Sequence, residues 1–377
     1  MDLFLNQEEQ MIQEMACAFS REELAKIAQS VDEEEEIPSN IKDSLFKLGF
    51  MGMLVPENYG GSKAGAVGYS IALTEIARGC ASTAVIMMVT NMVAEAVNQF
   101  GSGKQKEKYL PPLLSGEIGP GAFALTEPGA GSDAGGISST AVKQGGCYLL
   151  NGTKMFVTNG DIAGLILVMA VTRKEPREIS AFLVEPSFKG LYAGKREKKL
   201  GLKGSSTVSL TFDNMEIPEE NLLGSEGNGF KIAMSALYGG RIGIASQCVG
   251  ISLAAQESSI AHSKERVQFG GPISQQGAIR CMIADSATEI EGARMLTIKA
   301  ALKKNQGKRF TLEASMAKLF ASEMAFKVCN RALQIYGGYG YMTDYPLERH
   351  LRDVKVATIY EGTSEIQRLV ISRELLG

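Results

Sequence analysis

The stretch STVSLTF, residues 206–212, indicates how the centre of this chain folds. Its valine, leucine and phenylalanine alternate with threonine and serine, which is the period-two pattern of a strand with one buried face. Two apolar runs, 165–172 and 179–184, have the length of buried strands, and Asn151–Gly152 is a strong hairpin signal. These segments predict a small antiparallel, barrel-like β-domain over residues 119–225.

Both flanks of this region have the period of α-helices. In residues 1–118 apolar side chains recur at steps of three to five, and glycines follow the expected helix ends. The same spacing returns in residues 226–377, where Met316, Phe320 and Met324 share one predicted helix face. The order helical, β, helical predicts an α+β multidomain chain and argues against an alternating βαβ dinucleotide fold.

The composition excludes several classes of protein. The 377 residues carry a net charge of −3, without the basic excess of a nucleic-acid binder. We find no run of about 18 apolar residues that would span a membrane, and no secretory signal. The six cysteines form no CxxC pair and only two histidines occur, so a disulfide scaffold or a metal site is not expected. We therefore expect a cytoplasmic protein that holds no metal.

The segment TEPGAGSDAGG, residues 126–136, has glycines at the spacing of a dinucleotide fingerprint. That fingerprint must end a strand and open a helix, whereas β-type residues follow here, so we reject it. The loop still offers free backbone N–H groups and the hydroxyls of Thr126 and Ser132, which can cradle a pyrophosphate. An ordinary entry loop to the β-domain is the alternative interpretation.

The segment IYEGTSEIQ, residues 359–367, contains a second candidate site. Glu361 precedes Gly362, where a backbone without a Cβ can approach a ligand closely. Thr363 can cap the helix that ends the chain. From these residues alone, Glu361 is either a general base or a capping or solvated carboxylate.

Six segments occur in one order: TEPGAGSDAGG, NGTKMFVTNG (151–160), ERVQFGGPI (265–273), LQIYGGYGY (333–341), ERHLRD (348–353) and IYEGTSEIQ. Together they resemble the acyl-CoA dehydrogenase family over essentially the whole chain. ASTAVIMMVTN (81–91) and GRIGIASQ (240–247) are similar to its short-chain, butyryl-type branch. The resemblance implies a C-terminal four-helix bundle, FAD at the domain junction, electron-transfer flavoprotein as acceptor, and a homotetramer built as a dimer of dimers.

The resemblance also implies which residues bind FAD. Phe123, Leu125 and Thr126 would lie along the flavin, and Phe156 and Thr158 would cover its other side. The remaining implied FAD contacts, some of them across a subunit interface, are Gly131, Ser132, Arg266, Phe269, Gln276, Gln334, Gly338, Thr363 and Glu365.

Glu361 matches the catalytic base of the short- and medium-chain branches. Other branches place the base at the position of Gly240, which has no side chain to serve. By resemblance Glu361 would take the α proton of an acyl-CoA, and the β hydrogen would leave as hydride to the flavin. The positions implied for the substrate are Met88, Thr90, Asn91, Ser132, Tyr238, Arg241, Tyr360 and Gly362.

The chain departs from the family pattern at three positions. Phe156 replaces the usual Trp, which removes an N–H donor but keeps an aromatic ring. Tyr238 stands where an Asp is common near CoA. Gly277 stands where a FAD-contacting Gln is usual, and Gln275 or Gln276 would substitute for it.

The segment MVTNM, residues 88–92, has no Arg to pair with a second carboxylate, which argues against a glutaryl-type substrate. A short straight acyl group is therefore expected first, and a small branched or alicyclic one, of the cyclohexanecarboxyl-CoA type, second. An oxygen-using acyl-CoA oxidase or flavin monooxygenase is an alternative on the same scaffold. A non-catalytic binding relative is the alternative from another class.

Overall fold

A computed structural model describes residues 5–377. Its N-terminal part is helical, as the apolar spacing predicts. The Asn6 side chain caps the first helix and Glu9 reaches back to the Asn6 backbone, so both ends of a capping box are present. The helices are α1 (Gln7–Phe19), α2 (Ala25–Glu34), α3 (Ser39–Lys47), α4 (Gly65–Gly79), α5 (Ala81–Phe100) and α6 (Gly103–Ser115).

Helix α5 lies at the centre of the molecule. Every residue from Ala81 to Val97 is buried, which agrees with a helix that is apolar on nearly all sides. It packs against α4, against the first strand of the β-domain and against a long helix of the C-terminal part. Residues on different faces of α5 therefore reach different parts of the site described below.

The middle part is a β-domain of mostly antiparallel pairing. In one sheet the order is β6-β7-β3-β2-β4-β5-β8, and β1 pairs with β4 in parallel. The buried Val208, Leu210 and Phe212 of β7 confirm the period-two prediction. The strands are β1 (Gly121–Ala124), β2 (Thr140–Gln144), β3 (Cys147–Thr158), β4 (Leu165–Arg173), β5 (Glu178–Val184), β6 (Leu191–Ala193), β7 (Thr207–Pro218) and β8 (Leu222–Leu223).

The predicted hairpin at Asn151–Gly152 is wrong. Strand β3 runs through both residues, and the β2–β3 turn is at Gly145–Gly146, which join the paired Gln144 and Cys147. Gly152 has φ 141°, and a Cβ there would lie 2.6 Å from Cβ of Ser139. The glycine is needed for a register shift and a close backbone approach inside a strand, not for a turn.

The C-terminal part is a helical bundle. Its main helices are α7 (Gly229–Glu265), α8 (Gly277–Asn305), α9 (Thr311–Tyr336), α10 (Leu347–Lys355) and α11 (Ser364–Leu376). A short hairpin of β9 (Val267–Gln268) and β10 (Gly271–Pro272) separates α7 from α8. The buried face of α9 is lined by small residues, among them Ala314, Ala317 and Ala321, so α7 and α9 lie close together.

The fold class predicted from the sequence is confirmed: helical, then β, then helical. The boundaries near 118 and 225 remain predictions, although α6 ends at Ser115 and β8 ends at Leu223. Within residues 5–377 no helix is long and apolar enough to cross a membrane. The same residues contain no group of three or more His, Cys, Asp or Glu placed to hold a metal ion.

Candidate active site

Glu361 and Gly240 face each other where the last turn before α11 meets α7. A Cβ on Gly240 would lie 2.6 Å from Cδ and 2.7 Å from Oε1 of Glu361, so the carboxyl group occupies the space that the glycine leaves open. Glu361 has a φ of 51°, in the left-handed region that non-glycine residues rarely adopt. Such a conformation persists only when its surroundings hold it, and it is frequent at functional sites.

One oxygen of the Glu361 carboxyl is held away from water. Its Oε2 is shielded from solvent and has no hydrogen-bond partner. Burial raises the pKa of Glu361 to about 7, while the positive charges of Lys318 and Arg241 act in the opposite direction. The backbone N–H of Glu361 makes no backbone hydrogen bond within the described chain. A proton acceptor and a free N–H donor therefore lie on one residue.

Arg241 lies one residue beyond Gly240 on α7 and is 3% exposed. Its Nη1 donates to Oγ of Ser315 at 2.9 Å, and its guanidinium carbon lies 5.0 Å from the centroid of the Tyr238 ring. Its Nε has no partner. Burial lowers the pKa of Arg241, and the group retains unused donor capacity next to Glu361.

Two large side chains pack against α7 at Gly243, about one turn beyond Gly240. A Cβ on Gly243 would lie 2.7 Å from Oη of Tyr69 and 2.9 Å from Sδ of Met88, so the second glycine accommodates these two side chains. Tyr360 closes another side, and its hydroxyl donates to Oε1 of Gln247. Tyrosine, methionine and glycine thus enclose the region beside the Glu361 carboxyl.

Two other side chains implied for the substrate make hydrogen bonds within the protein instead. Thr90 accepts a hydrogen bond from the Gly121 N–H at 3.2 Å, which ties α5 to β1. The Asn91 side chain is fully buried, donates to the Phe50 carbonyl at 2.8 Å and accepts from the Met53 N–H at 2.9 Å. Both side chains fix elements around the site.

The β-domain brings together the five residues implied along the flavin. The Met155 N–H donates to the Thr126 carbonyl at 2.8 Å, which joins the end of β1 to β3. A register shift of β3 between Lys154 and Val157 leaves Phe156 at φ 56° and 65% exposed. Phe123 and Leu125 lie on or next to β1, and Thr158 pairs with Thr207 near the end of β3.

A buried ion pair holds the loop that contains TEPGAGSDAGG. Lys154 Nζ lies 2.7 Å from Glu127 Oε1, and both side chains are almost completely buried. Glu127 also accepts from the N–H groups of Ser138 and Ser139, and these contacts lower its pKa to about 2 despite burial. Both ends of the loop are thereby fixed, while Gly131 and Ser132 remain exposed.

Five of the remaining residues implied for FAD lie in segments at or after the C-terminal ends of α7 and α9: Arg266, Phe269, Gln276, Gln334 and Gly338. Arg266 follows α7, and its guanidinium carbon lies 5.3 Å from the Tyr339 ring centroid, which brings the segments around Phe269 and Gly338 together. Arg266 is 26 residues beyond Gly240, which at 1.5 Å per helical residue is about 39 Å along α7. Phe269 is 97% exposed. Gln276 lies directly before α8, and Gln334 lies in the last turn of α9.

Thr363 and Glu365 lie elsewhere, beside Glu361. The Thr363 hydroxyl accepts from the Ile366 N–H at 3.3 Å and caps α11, as the sequence predicts. Glu365 is exposed in the first turn of that helix. Thr363 therefore fixes the start of α11 directly after the Glu361–Gly362 turn.

Sequence reasoning missed three side chains of this site: Lys318, Gln367 and Tyr69. Lys318 is fully buried and donates to the Gly362 carbonyl at 2.7 Å. A signal was present, because this lysine falls on the alanine-lined face of α9. Gln367 and Tyr69 carry no such signal, since their importance comes from contacts between distant segments.

Comparisons with known proteins agree with this geometry. The chain matches the N-terminal, middle and C-terminal domains of acyl-CoA dehydrogenase over residues 6–117, 122–215 and 227–376. It is 50% identical to an acyl-CoA dehydrogenase of Bacillus subtilis, with both proteins covered completely. The chain belongs to the acyl-CoA dehydrogenase family and is an enzyme of that class.

Two solved structures are similar over their full lengths and over all of this chain. Butyryl-CoA dehydrogenase from Megasphaera elsdenii is 42% identical, with a TM-score of 0.97. A chain from a study of the electron transferring flavoprotein of Acidaminococcus fermentans is 44% identical, also with a TM-score of 0.97.

Proposed function

We propose that this chain is an FAD-dependent acyl-CoA dehydrogenase that converts a short-chain acyl-CoA to the trans-2-enoyl-CoA. One observation carries the proposal: the Glu361 carboxyl lies in the space left by Gly240. Its Oε2 is shielded from water and has no hydrogen-bond partner. A carboxylate in such surroundings is a stronger base than one in water, because burial destabilises its charge.

The residues present fit FAD. Phe156 projects from β3 with most of its ring uncovered, which suits stacking against a flat aromatic ring system. The loop around Gly131 and Ser132 is anchored at both ends, and its backbone is open at Gly131. Thr126, which takes part in the Met155–Thr126 contact, and Thr158 supply hydroxyl groups on this part of the β-domain. When bound, FAD supplies the acceptor for the hydride that leaves the substrate.

The protein's own part of the reaction is proton abstraction and charge stabilisation. Glu361 takes the proton from the α carbon, a role worth roughly 10²–10⁴-fold in rate. The thioester oxygen gains negative charge as that proton leaves, and the N–H of Glu361, which makes no backbone hydrogen bond, is the donor we assign to it. Arg241, with its unpaired Nε, positions the CoA portion.

The acyl pocket favours a short chain. Tyr69 and Met88 fill the space beyond the carboxyl, against Gly243. The nearby ammonium of Lys304 is already paired with Glu95 at 2.7 Å, so it does not offer a free charge to a second substrate carboxylate. A straight short acyl group is the first candidate, and a small branched or alicyclic group is the second, because Met88 is flexible.

We also propose electron-transfer flavoprotein as the electron acceptor, a cytoplasmic location and a homotetramer. The assembly is supported by the group around Arg266 and Phe269, which lies about 39 Å along α7 from Gly240. We infer that one chain does not bring this group and the residues around Phe156 to the same FAD. Pairing of two chains would bring this group to the flavin of the partner.

Anaerobic titration of the purified protein with acyl-CoAs of increasing length tests the activity. We expect flavin bleaching with chains of about four carbons and little with chains beyond about eight, because an over-long chain cannot enter a closed pocket. The variant Glu361→Gln should retain flavin and lose at least about 10²-fold in bleaching rate. Full bleaching by this variant, or a preference for long chains, contradicts the proposal; turnover with oxygen alone would indicate an oxidase.

A further inference from the structure

Lys318 is a buried charge that the reaction described above does not use. It lies on α9 with a side-chain exposure of 0%, and within residues 5–377 no carboxylate lies within 4.0 Å of its Nζ. Its Nζ makes one hydrogen bond, to the Gly362 carbonyl at 2.7 Å. An ammonium group has three donors, and burial of an unpaired charge costs free energy of folding. A charge that is kept at such a cost is a candidate for a functional role.

The acceptor of that hydrogen bond belongs to the turn that carries the base. Both residues of the turn have positive φ, 51° at Glu361 and 93° at Gly362. A second donor, Nε2 of Gln367, lies 2.9 Å from the Gly362 carbonyl and 3.3 Å from the Glu361 carbonyl. The strained turn is therefore held from α9 by Lys318 and from α11 by Gln367.

The charge of Lys318 acts on Glu361 as well. The charged and titratable groups that act on Lys318 are Cys248 and Arg241 of α7, Glu361 itself and Glu365 of α11. Burial lowers the pKa of Lys318 to about 8, which leaves it protonated at pH 7. Lys318 and Arg241 are the two cations that favour the ionised form of Glu361.

We propose that Lys318 is a positioning residue for α-proton abstraction: it fixes the Glu361–Gly362 turn through the Gly362 carbonyl and stabilises the carboxylate form of Glu361. This inference rests on the function proposed above. Lys318 supplies both a hydrogen bond to the Gly362 carbonyl and a positive charge. Gln367 supplies a hydrogen bond to the same carbonyl without a charge, so variants of the two residues distinguish the effect of the charge from that of the hydrogen bond.

The test is the pH dependence of single-turnover flavin bleaching by butyryl-CoA, measured in Lys318→Met and Gln367→Met. Glu361 acts as a base, so the rate rises with pH through its pKa. Loss of the nearby positive charge raises that pKa, and we expect the acid limb in Lys318→Met to move up by about one pH unit. Both variants should lose at least about tenfold in maximal rate through misplacement of the turn. In Gln367→Met the acid limb should not move.

Coincident acid limbs in Lys318→Met and the wild type overturn the proposal. Lys318→Gln, which keeps an N–H donor and loses the charge, serves as a second variant and should show the same shift. If neither variant folds and retains flavin, Lys318 is a structural residue and the proposal fails. Glu361→Gln separates this failure from failure of the proposed function. If Glu361→Gln is active, Glu361 is not the base and the proposed function fails. If Glu361→Gln is inactive and the acid limb of Lys318→Met has not moved, only the role of Lys318 is excluded.

Discussion

Glu361 and Gly240 depend on each other although 120 residues separate them in the chain. The carboxyl of one fills the space above the other, so the side chain at 240 determines where the base can be. The IYEGTSEIQ motif alone left Glu361 as either a base or a capping carboxylate, and the resemblance to the family selected it as the base. The space that Gly240 provides for this carboxyl was not predictable from local sequence, because it arises from the contact of α7 with the turn before α11.

Substitution of Gly240 by alanine should separate activity from stability. The new Cβ would meet the end of a flexible side chain rather than backbone, so the carboxyl is displaced and the helix is not. A displacement of about 1 Å is expected to lower the bleaching rate about 10²-fold. Alanine inside a helix is favoured over glycine by roughly 0.5–1 kcal/mol, so Tm should stay constant or rise.

The neighbouring glycine provides a matched control for that experiment. A Cβ on Gly239 would approach Nζ of Lys304 and Oε2 of Glu95, not Glu361. Gly239→Ala should therefore retain most of the bleaching rate. Equal activity of Gly240→Ala and the wild type would show that the carboxyl has other productive positions.

At the scale of elements, the loop of residues 126–136 depends on the Glu127–Lys154 pair. Removal of one member of a buried pair leaves an uncompensated charge, at a cost of roughly 3–5 kcal/mol. We expect Glu127→Gln and Lys154→Met each to lower Tm and release flavin, and the double variant to be more stable than either single one. The readouts are thermal unfolding and flavin content after gel filtration.

The pH dependence provides a second check on the pair. The folded pKa of Glu127, about 2, lies below the ordinary value for a glutamate. Its stabilising contribution is therefore present above the unfolded value and is lost as pH falls through the folded one. The decline in Tm between about pH 4.5 and pH 2 should be shallower in Glu127→Gln. Single variants as stable as the wild type would show that the pair contributes little.

Element types were predictable where the apolar period was clear, as in β7 and α9. The hairpin prediction at Asn151–Gly152 failed because an Asn–Gly pair also suits a strand that must pass close to another backbone. The resemblance to the family supplied the implied FAD positions. It did not show that a buried ion pair anchors their loop, since Glu127 and Lys154 meet only after β1 and β3 are paired.

At the scale of the whole molecule, the C-terminal bundle exposes several large apolar side chains. Phe320 and Phe326 of α9 and Leu369 of α11 are between 40% and 64% exposed. A contiguous apolar patch is typical of an interface between subunits, and we expect these side chains to belong to one. The sequence pattern placed Phe320 on a helix face but did not distinguish a buried face from an exposed one.

The proposed subunit interface can be tested with variants at two residues of nearly equal exposure. Leu369 of α11 is 64% exposed and Met11 of α1 is 63% exposed. Four chains of 40.4 kDa have a mass of about 160 kDa, which is the mass expected for the wild type by light scattering. Because a charge buried between subunits costs free energy of association, Leu369→Asp should reduce this mass. Because the Arg266 group would bind the partner's FAD, the same variant should lose flavin, whereas Met11→Asp should keep both mass and flavin. A flavin-bound wild-type monomer would contradict the proposed shared site.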